Sequence, residues 1–201
     1  MGEIILVIGN DKLGRKLINY LESNFYDVSI YLDASPMFGR LMKLLLKKRF
    51  SIKHFYRMTL AAVTRRDYFV RNYPYIRSNE DLIDVINEKK PKIIYFFRAG
   101  IIVNKIVINK GVPLVNVHCN SLPEYSGIAS IARALDEKAY AQHATMHRIT
   151  ENIDRGDILR EEPYVMFAEN SYQKNEDIAY GAGIKLLLQE LSNKLIDKGL
   201  N

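Results

Sequence analysis

The sequence predicts an α/β protein with a single open, mostly parallel twisted sheet flanked by helices, and three observations carry that prediction. Short, continuous apolar runs recur along the chain between turn residues, as strands buried on both faces require. Helical periodicities with capping residues fall between those runs, so strands and helices alternate. No internal repeat, low-complexity tract or interdomain linker breaks the alternation over 201 residues, a length expected of one domain spanning 1–201.

The first strand is Ile4 to Ile8, ending at Gly9, and Asp11 is placed to cap a helix carrying Leu13, Leu17 and Leu21. Val28 to Leu32 is a second strand. Ser35 and Pro36 suit the N-cap and first turn of a basic helical insertion over about 36–66. Ser78 with Asp81 reads as a capping box ahead of Leu82, Ile83, Val85 and Ile86, in a helix that stops near Lys90 and Pro91. Ile93 to Phe97 follows as a buried strand and Pro113 to His118 as another. Ile128 to Asp136 reads as a helix, and Ala144 to Thr150 and Asp157 to Met166 read as extended segments. The last helix, about Asn175 to Lys198, is amphipathic through Ile178, Leu186, Leu187, Leu191 and Leu195, with Gly181 and Gly183 weakening its first turns.

Composition narrows the class. Hydrophobic residues at 48% and charged residues at 26% suit a globular chain and exclude disorder and collagen-like structure. The opening MGEIILVIGN has an acidic residue where a signal peptide needs a basic region, and Lys43, Lys47, Lys48 and Arg49 interrupt the richest leucine run. Cys119, the single cysteine, cannot form an internal disulfide. A cytoplasmic protein without a transmembrane helix is expected.

Charge is distributed unevenly. Pro36 to Arg66 holds nine Lys or Arg and no acidic residue, more than the whole chain's net +6, so the remainder is net acidic. Attraction for a sugar nucleotide or a phospholipid surface is one reading, and a solvated helix face is the other, with Met37, Phe38, Leu41, Met42, Leu44 and Leu45 packed and the lysines snorkelling. Nucleic acid is not expected, because no recognised binding module accompanies the charge.

Open α/β sheets bind ligands beyond the carboxyl ends of their strands. The first such end, Gly9-Asn10-Asp11-Lys12-Leu13-Gly14, could offer backbone N–H groups to a phosphate but lacks the G-x-G-x-x-G spacing of a dinucleotide site. The richest stretch is Asn116-Val117-His118-Cys119-Asn120-Ser121-Leu122-Pro123-Glu124-Tyr125-Ser126-Gly127, followed by Ile153-Asp154-Arg155-Gly156-Asp157-Ile158. It resembles the 10-formyltetrahydrofolate-dependent formyltransferase family, in which an N-x-H-P-S-L-L-P-x-Y-x-G type motif precedes an acidic D-x-G motif. Ala99-Gly100-Ile101-Ile102 is similar to the family's A-G-F-M segment, and Thr145-Met146-His147 also aligns. Cys119 and Asn120 replace the usual Pro-Ser, Ser121 replaces the first leucine, and Ser126 stands where a basic residue or proline is frequent.

The resemblance implies a Rossmann-like formyltransferase fold, 10-formyltetrahydrofolate as donor and no metal. It implies catalytic roles for Asn116, His118 and Asp154. On a strand Asn116 and His118 point to one face, so both could stabilise the oxyanion that develops when an amine attacks the formyl carbon, with Asp154 orienting the imidazole. The donor is expected against Gly100, Ile101, Ile102 and Val103 and against Ile153, Gly156 and Asp157. Gly9, Asn10, Lys12, Ser121, Pro123 and Tyr125 are the expected acceptor contacts. No metal site is read from His143 and His147, because four residues of a strand span about 13 Å. Cys119 points away from His118 and reads as structural.

Among acceptors, the resemblance favours the amino group of a nucleotide-linked amino sugar used for surface polysaccharide, as in lipopolysaccharide biosynthesis. Phosphoribosylglycinamide formyltransferase is the alternative, although its G-S-G-S-N type phosphate loop is replaced here by Gly9 to Leu13. Methionyl-tRNA formyltransferases carry a further RNA-binding domain, which disfavours that subclass. A non-catalytic nucleotide- or membrane-surface-binding protein on the same fold, and a homodimer, both stay open.

Overall fold

The computed structural model describes residues 2–24, 26–36 and 51–199. Pro36, the expected helix start, is described and is not helical, and the apolar face from Met37 to Leu45 lies outside the described residues. Seven strands form one sheet: β1 (Ile4–Gly9), β2 (Ser29–Asp33), β3 (Tyr75–Ile76), β4 (Ile93–Phe97), β5 (Leu114–His118), β6 (Ala141–Arg148) and β7 (Ile158–Val165), in the order β3-β2-β1-β4-β5-β6-β7. The first five are parallel, and β6 and β7 run antiparallel at one edge. The described helices are α1 (Lys12–Ser23), α2 (Ile52–Thr64), α3 (Asn79–Lys89), the single turn α4 (Lys105–Ile108), α5 (Ser130–Asp136) and α6 (Tyr172–Gly199). Among them, none is long and apolar enough to cross a membrane.

The pleat sorts the core into two layers. Ile4, Leu6 and Ile8 of β1, with Tyr95, Phe97, Val115 and Val117, face Leu17 and Leu21 of α1 and Leu186, Leu187 and Leu191 of α6. Ile5, Val7, Ile94, Phe96 and Leu114 face the other way, onto Leu82 and Ile86 of α3 and Val107 of α4. All six residues of β1 are buried, which explains its unbroken apolar run. Strand order reverses between β1 and β4, so the crevice of the fold opens at Gly9 and Arg98, with the end of β5 beside it.

The capping residues act as expected. The Asp11 carboxylate accepts from Leu13 N and Gly14 N at 3.1 and 2.9 Å, and Ser78 Oγ accepts from Asp81 N at 3.3 Å. The Asp81 carboxylate reaches Arg77 N at 2.7 Å rather than the N-cap amide, one residue off the usual box. β3 and α4 were not legible in the sequence, because two residues and one turn are too short to show a period. Helix α6 starts at Tyr172, three residues before the predicted Asn175.

Its two glycines differ in a testable way. A Cβ on Gly183 would come 2.6 Å from Cys119 Sγ, whereas a Cβ on Gly181 meets nothing within 4 Å. Gly183 lets the helix lie close on β5, and Gly181 carries only the intrinsic helix penalty. Gly181→Ala is therefore expected to stabilise by about 0.5–1 kcal/mol. Gly183→Ala is expected to destabilise by about 1–3 kcal/mol through overpacking. Urea unfolding of the two variants checks the opposite signs; equal shifts would disprove the packing argument.

Candidate active site

The carboxyl end of β5 meets the antiparallel pair, and that junction builds the site. Asn116 lies directly opposite His147 in the β5–β6 register, and His118 lies opposite Thr145. Asn116 Nδ2 donates to His147 Nε2 at 3.1 Å, which places the His147 proton on Nδ1, where it donates to the Arg148 carbonyl at 2.9 Å. His147 is fully buried by this arrangement. Asp154 arrives from the loop joining β6 to β7, with φ +53°. Aspartate is among the few residues that tolerate this left-handed conformation. Its Oδ2 accepts from Gly127 N at 2.7 Å and lies 3.7 Å from His118 Nδ1, and its Oδ1 lies 3.5 Å from His147 Nε2. The loop can turn there because Gly156 packs against Arg148 O, where a Cβ would sit 1.9 Å away.

His118 Nε2 lies 2.8 Å from the Tyr125 carbonyl. A carbonyl only accepts, so Nε2 carries the proton and Nδ1 turns its lone pair toward Asp154. Burial pushes the His118 pKa below its ordinary value of 6.5, against the pull of the Asp154 carboxylate. Burial pushes Asp154 up, but the adjacent His147 and His118 rings and the Gly127 amide outweigh it and bring it to about 2. A neutral imidazole beside an ionised carboxylate results.

These shifts set an acid limit to stability. A lowered histidine pKa means that the unfolded chain takes up the proton first, so the His118 contribution is complete above pH 6.5 and is lost as pH falls. The Asp154 contribution is present above its unfolded value of 3.8 and is lost as pH falls through about 2. Denaturant unfolding from pH 7.5 down to 5 is expected to show falling stability in the parent and a smaller fall in His118→Gln. Parallel curves for the two proteins would assign the acid sensitivity to other groups.

Residues flanking the expected donor segments lie near each other. Lys105, just beyond Asn104, pairs with Glu151 at 3.2 Å, and Ile101 and Ile149 pack on the same core layer. Each has a place of its own in the packing. Val103 is buried in the core, and the Gly100 and Ile101 amides donate to the buried Asp33 carboxylate, so these groups hold the loop to the end of β2. Gly156 is consumed by the close approach to Arg148, and the Asp157 carbonyl accepts from Arg148 N at 2.9 Å. Ile102 and Ile153 are exposed.

The expected acceptor residues have partners within the chain. Arg98 sits at the crevice with its guanidinium on Asp11 and 4.3 Å above the Tyr180 ring. Its carbonyl lies 2.4 Å from where a Gly9 Cβ would stand, so Gly9 is required by close packing. Lys12 Nζ donates to the Val63 and Arg65 carbonyls at 2.8 Å each, and Asn10 Oδ1 accepts from Arg15 at 3.4 Å. The Asp11 carboxylate thus occupies the Leu13 and Gly14 amides at the α1 N-terminus. Beside it lies a cleft of about 250 Å³ lined by Asn10, Lys12, Arg15, Arg65 and Arg98. Ser121 Oγ accepts from His143 N at 3.0 Å, Pro123 is exposed, and the Tyr125 hydroxyl donates to Glu137 at 2.8 Å.

His147 was the residue missed as a participant, although Thr145-Met146-His147 was noted: only the strand register sets it on Asn116. His143 is exposed beside Ser121, apart from it. Among the described residues, no three His, Cys, Asp or Glu side chains group as a metal site would need. Cys119 is buried under Gly183 on the opposite face, and burial pushes its thiol pKa up.

The sequence model of the formyl transferase family matches residues 4–190. The chain belongs to the formyl transferase family. A methionyl-tRNA formyltransferase of Caldicellulosiruptor saccharolyticus is 29% identical over 127 residues, covering 59% of this chain and 38% of that protein. The chain thus spans well under half the length of the curated relatives it matches. The phosphoribosylglycinamide formyltransferase of Streptococcus pneumoniae superposes with a TM-score of 0.62 at 17% identity, over 98% of this chain and 99% of that one. A sugar N-formyltransferase from a Shewanella species gives 0.61 at 15% identity, over 96% and 71%. These two likenesses show the fold, and the three names differ in acceptor.

Proposed function

We propose that the chain transfers a formyl group from 10-formyltetrahydrofolate to a primary amine, and that the amine belongs to a nucleotide-linked amino sugar. The observation that carries formyl transfer is the meeting of Asn116, His118 and Asp154, three residues from two separate stretches of sequence, at the carboxyl edge of the sheet. The donor, when bound, supplies the activated formyl carbon; Ile102 and Ile153 are the surfaces for its ring. Nε2–H of His118 already donates to a carbonyl oxygen, that of Tyr125, so a formyl oxygen taking that place receives the same hydrogen bond. As negative charge grows on the oxygen, the bond strengthens, and the Asn116 amide beside it adds a second donor. Asp154, held ionised, stabilises positive charge that develops on the imidazole and, through water, relays the proton lost by the attacking amine to the folate nitrogen as its bond to the formyl carbon breaks.

The acceptor reading is supported at α1. A glycinamide ribonucleotide phosphate bound at the first loop would meet the Asp11 carboxylate on the amides it needs, so an acceptor with its anionic group placed elsewhere suits this chain better. The test is a turnover screen with 10-formyltetrahydrofolate against nucleotide-linked amino sugars, glycinamide ribonucleotide and initiator methionyl-tRNA. Turnover of an amino sugar is expected. Preference for either other acceptor would replace the substrate while leaving formyl transfer in place, and no turnover of any of the three would remove both.

A further inference from the structure

Helix α5 grips the loop that it follows. That loop leaves β5 after His118, and its residues Tyr125 to Gly127 make the contacts on which the site depends. Tyr125 presents its carbonyl to His118 Nε2 at 2.8 Å, and Gly127 presents its amide to Asp154 Oδ2 at 2.7 Å. Ser126, between them, is held from α5, where Arg133 Nη2 donates to its carbonyl. The Arg133 guanidinium also lies 5.9 Å from the centre of the Tyr125 ring, and Glu137, just past the helix, accepts from the Tyr125 hydroxyl at 2.8 Å. Two side chains one helical turn apart thus fix two successive loop residues. The helix is itself fixed, because Ile131, Ala132 and Ala134 are buried.

The covalent connection gives the Arg133 contact a further consequence. The Ser126 carbonyl and the Gly127 N–H belong to one planar peptide group. A cation on the carbonyl oxygen draws electron density along that group and makes the N–H a stronger donor. That N–H is the one on Asp154, and the oxygen that accepts it, Oδ2, is also the one 3.7 Å from His118 Nδ1. The Arg133 charge therefore reaches the carboxylate from behind, through one peptide bond. It reaches the imidazole as well: burial comes first in keeping His118 neutral, and the Arg133 charge adds to it. We propose that Arg133 is a positioning residue for formyl transfer, which sets the Asp154 carboxylate through the Ser126–Gly127 peptide without touching donor or acceptor. The proposal rests on the formyl-transfer reading of the site and is independent of which amine is the acceptor.

The Gly127 amide reports on this relay directly. In proton–nitrogen NMR spectra of the free protein, Arg133→Met is expected to move the Gly127 amide proton upfield as its hydrogen bond to Asp154 weakens. Arg133→Lys, which keeps a charged donor, is expected to leave it near the parental position. In steady-state kinetics with 10-formyltetrahydrofolate and the acceptor found in the turnover screen, Arg133→Met is expected to lower kcat about 10-fold with both KM values unchanged, and Arg133→Lys to restore most of it. Arg133→Gln, neutral with a donor of its own, replaces the methionine variant if that one does not fold, and is expected to show the same two losses in smaller measure. A Gly127 amide that stays in place in the neutral variants overturns the proposal, whatever the activity. A higher acceptor KM at the parental kcat overturns it in favour of a substrate-binding arginine. A lower melting temperature with amide and kcat both unchanged overturns it in favour of a structural role. A parent that transfers no formyl group to any amine removes the formyl-transfer reading, and the amide shift then still decides whether Arg133 acts on Asp154.

Discussion

His118→Ala is expected to lower formyl transfer by at least about 10²-fold while the chain stays folded. Its side chain is 12% exposed and gives up one hydrogen bond, to the Tyr125 carbonyl, so the loss of stability should be on the order of 1 kcal/mol. The rate loss is larger because the Nε2–H bond strengthens as the formyl oxygen gains charge, which the ground state does not use. Asn116→Ala is expected to cost a similar factor, and it also strips His147 of its donor. The double variant should lose less than the two singles together, since both donors act on one oxygen. Single-turnover transfer at saturating donor, with melts of every variant, is the measurement. A folded His118→Ala protein that reacts at the parental rate would end the catalytic reading and leave a binding protein on a formyl transferase fold.

Arg65→Met is expected to cost about 3–5 kcal/mol of stability, the second large effect. Arg65 and Glu176 are buried, with side chains 8% and 7% exposed and 2.8 Å apart, and Nε also reaches Asp177 at 2.7 Å. Removing the guanidinium leaves the buried Glu176 carboxylate with the Tyr172 hydroxyl, 3.2 Å away, as its donor. Asp177, at 35% exposure, can turn to water instead. Arg65→Met with Glu176→Leu should recover much of the loss, because no uncompensated charge remains. Denaturant unfolding of the parent, the single and the double variants checks this. A single variant within about 1 kcal/mol of the parent would show that the pair is hydrated rather than buried.

The site was only partly legible. The motif residues Asn116, His118 and Asp154 stand out in one dimension because their order and spacing resemble a family motif, not because any one of them differs from an ordinary strand or loop residue. What Asp11 does was half visible: its place as N-cap was, its occupation of the amides where a phosphate was expected was not. Val103 looked like a donor contact because an isoleucine-rich segment after a strand reads the same whether it lines a pocket or fills a core. The distinction lies in which layer the chain turns into after β4, and Val103 turns inward onto Ile94 and Phe96.

By itself the sequence determined the alternation of buried strands and capped helices and the concentration of positive charge between Pro36 and Arg66, because each follows from local periodicity, capping and composition, while Asn116, His118 and Asp154 stood out as candidates only through a motif's resemblance to a family. Only the tertiary structure decided that β6 and β7 run antiparallel, that His147 stands opposite Asn116 and that Gly183 is a packing contact. Each of these depends on residues far apart in sequence meeting across the sheet, and the chain's local preferences carry no record of which partner a strand or helix will find.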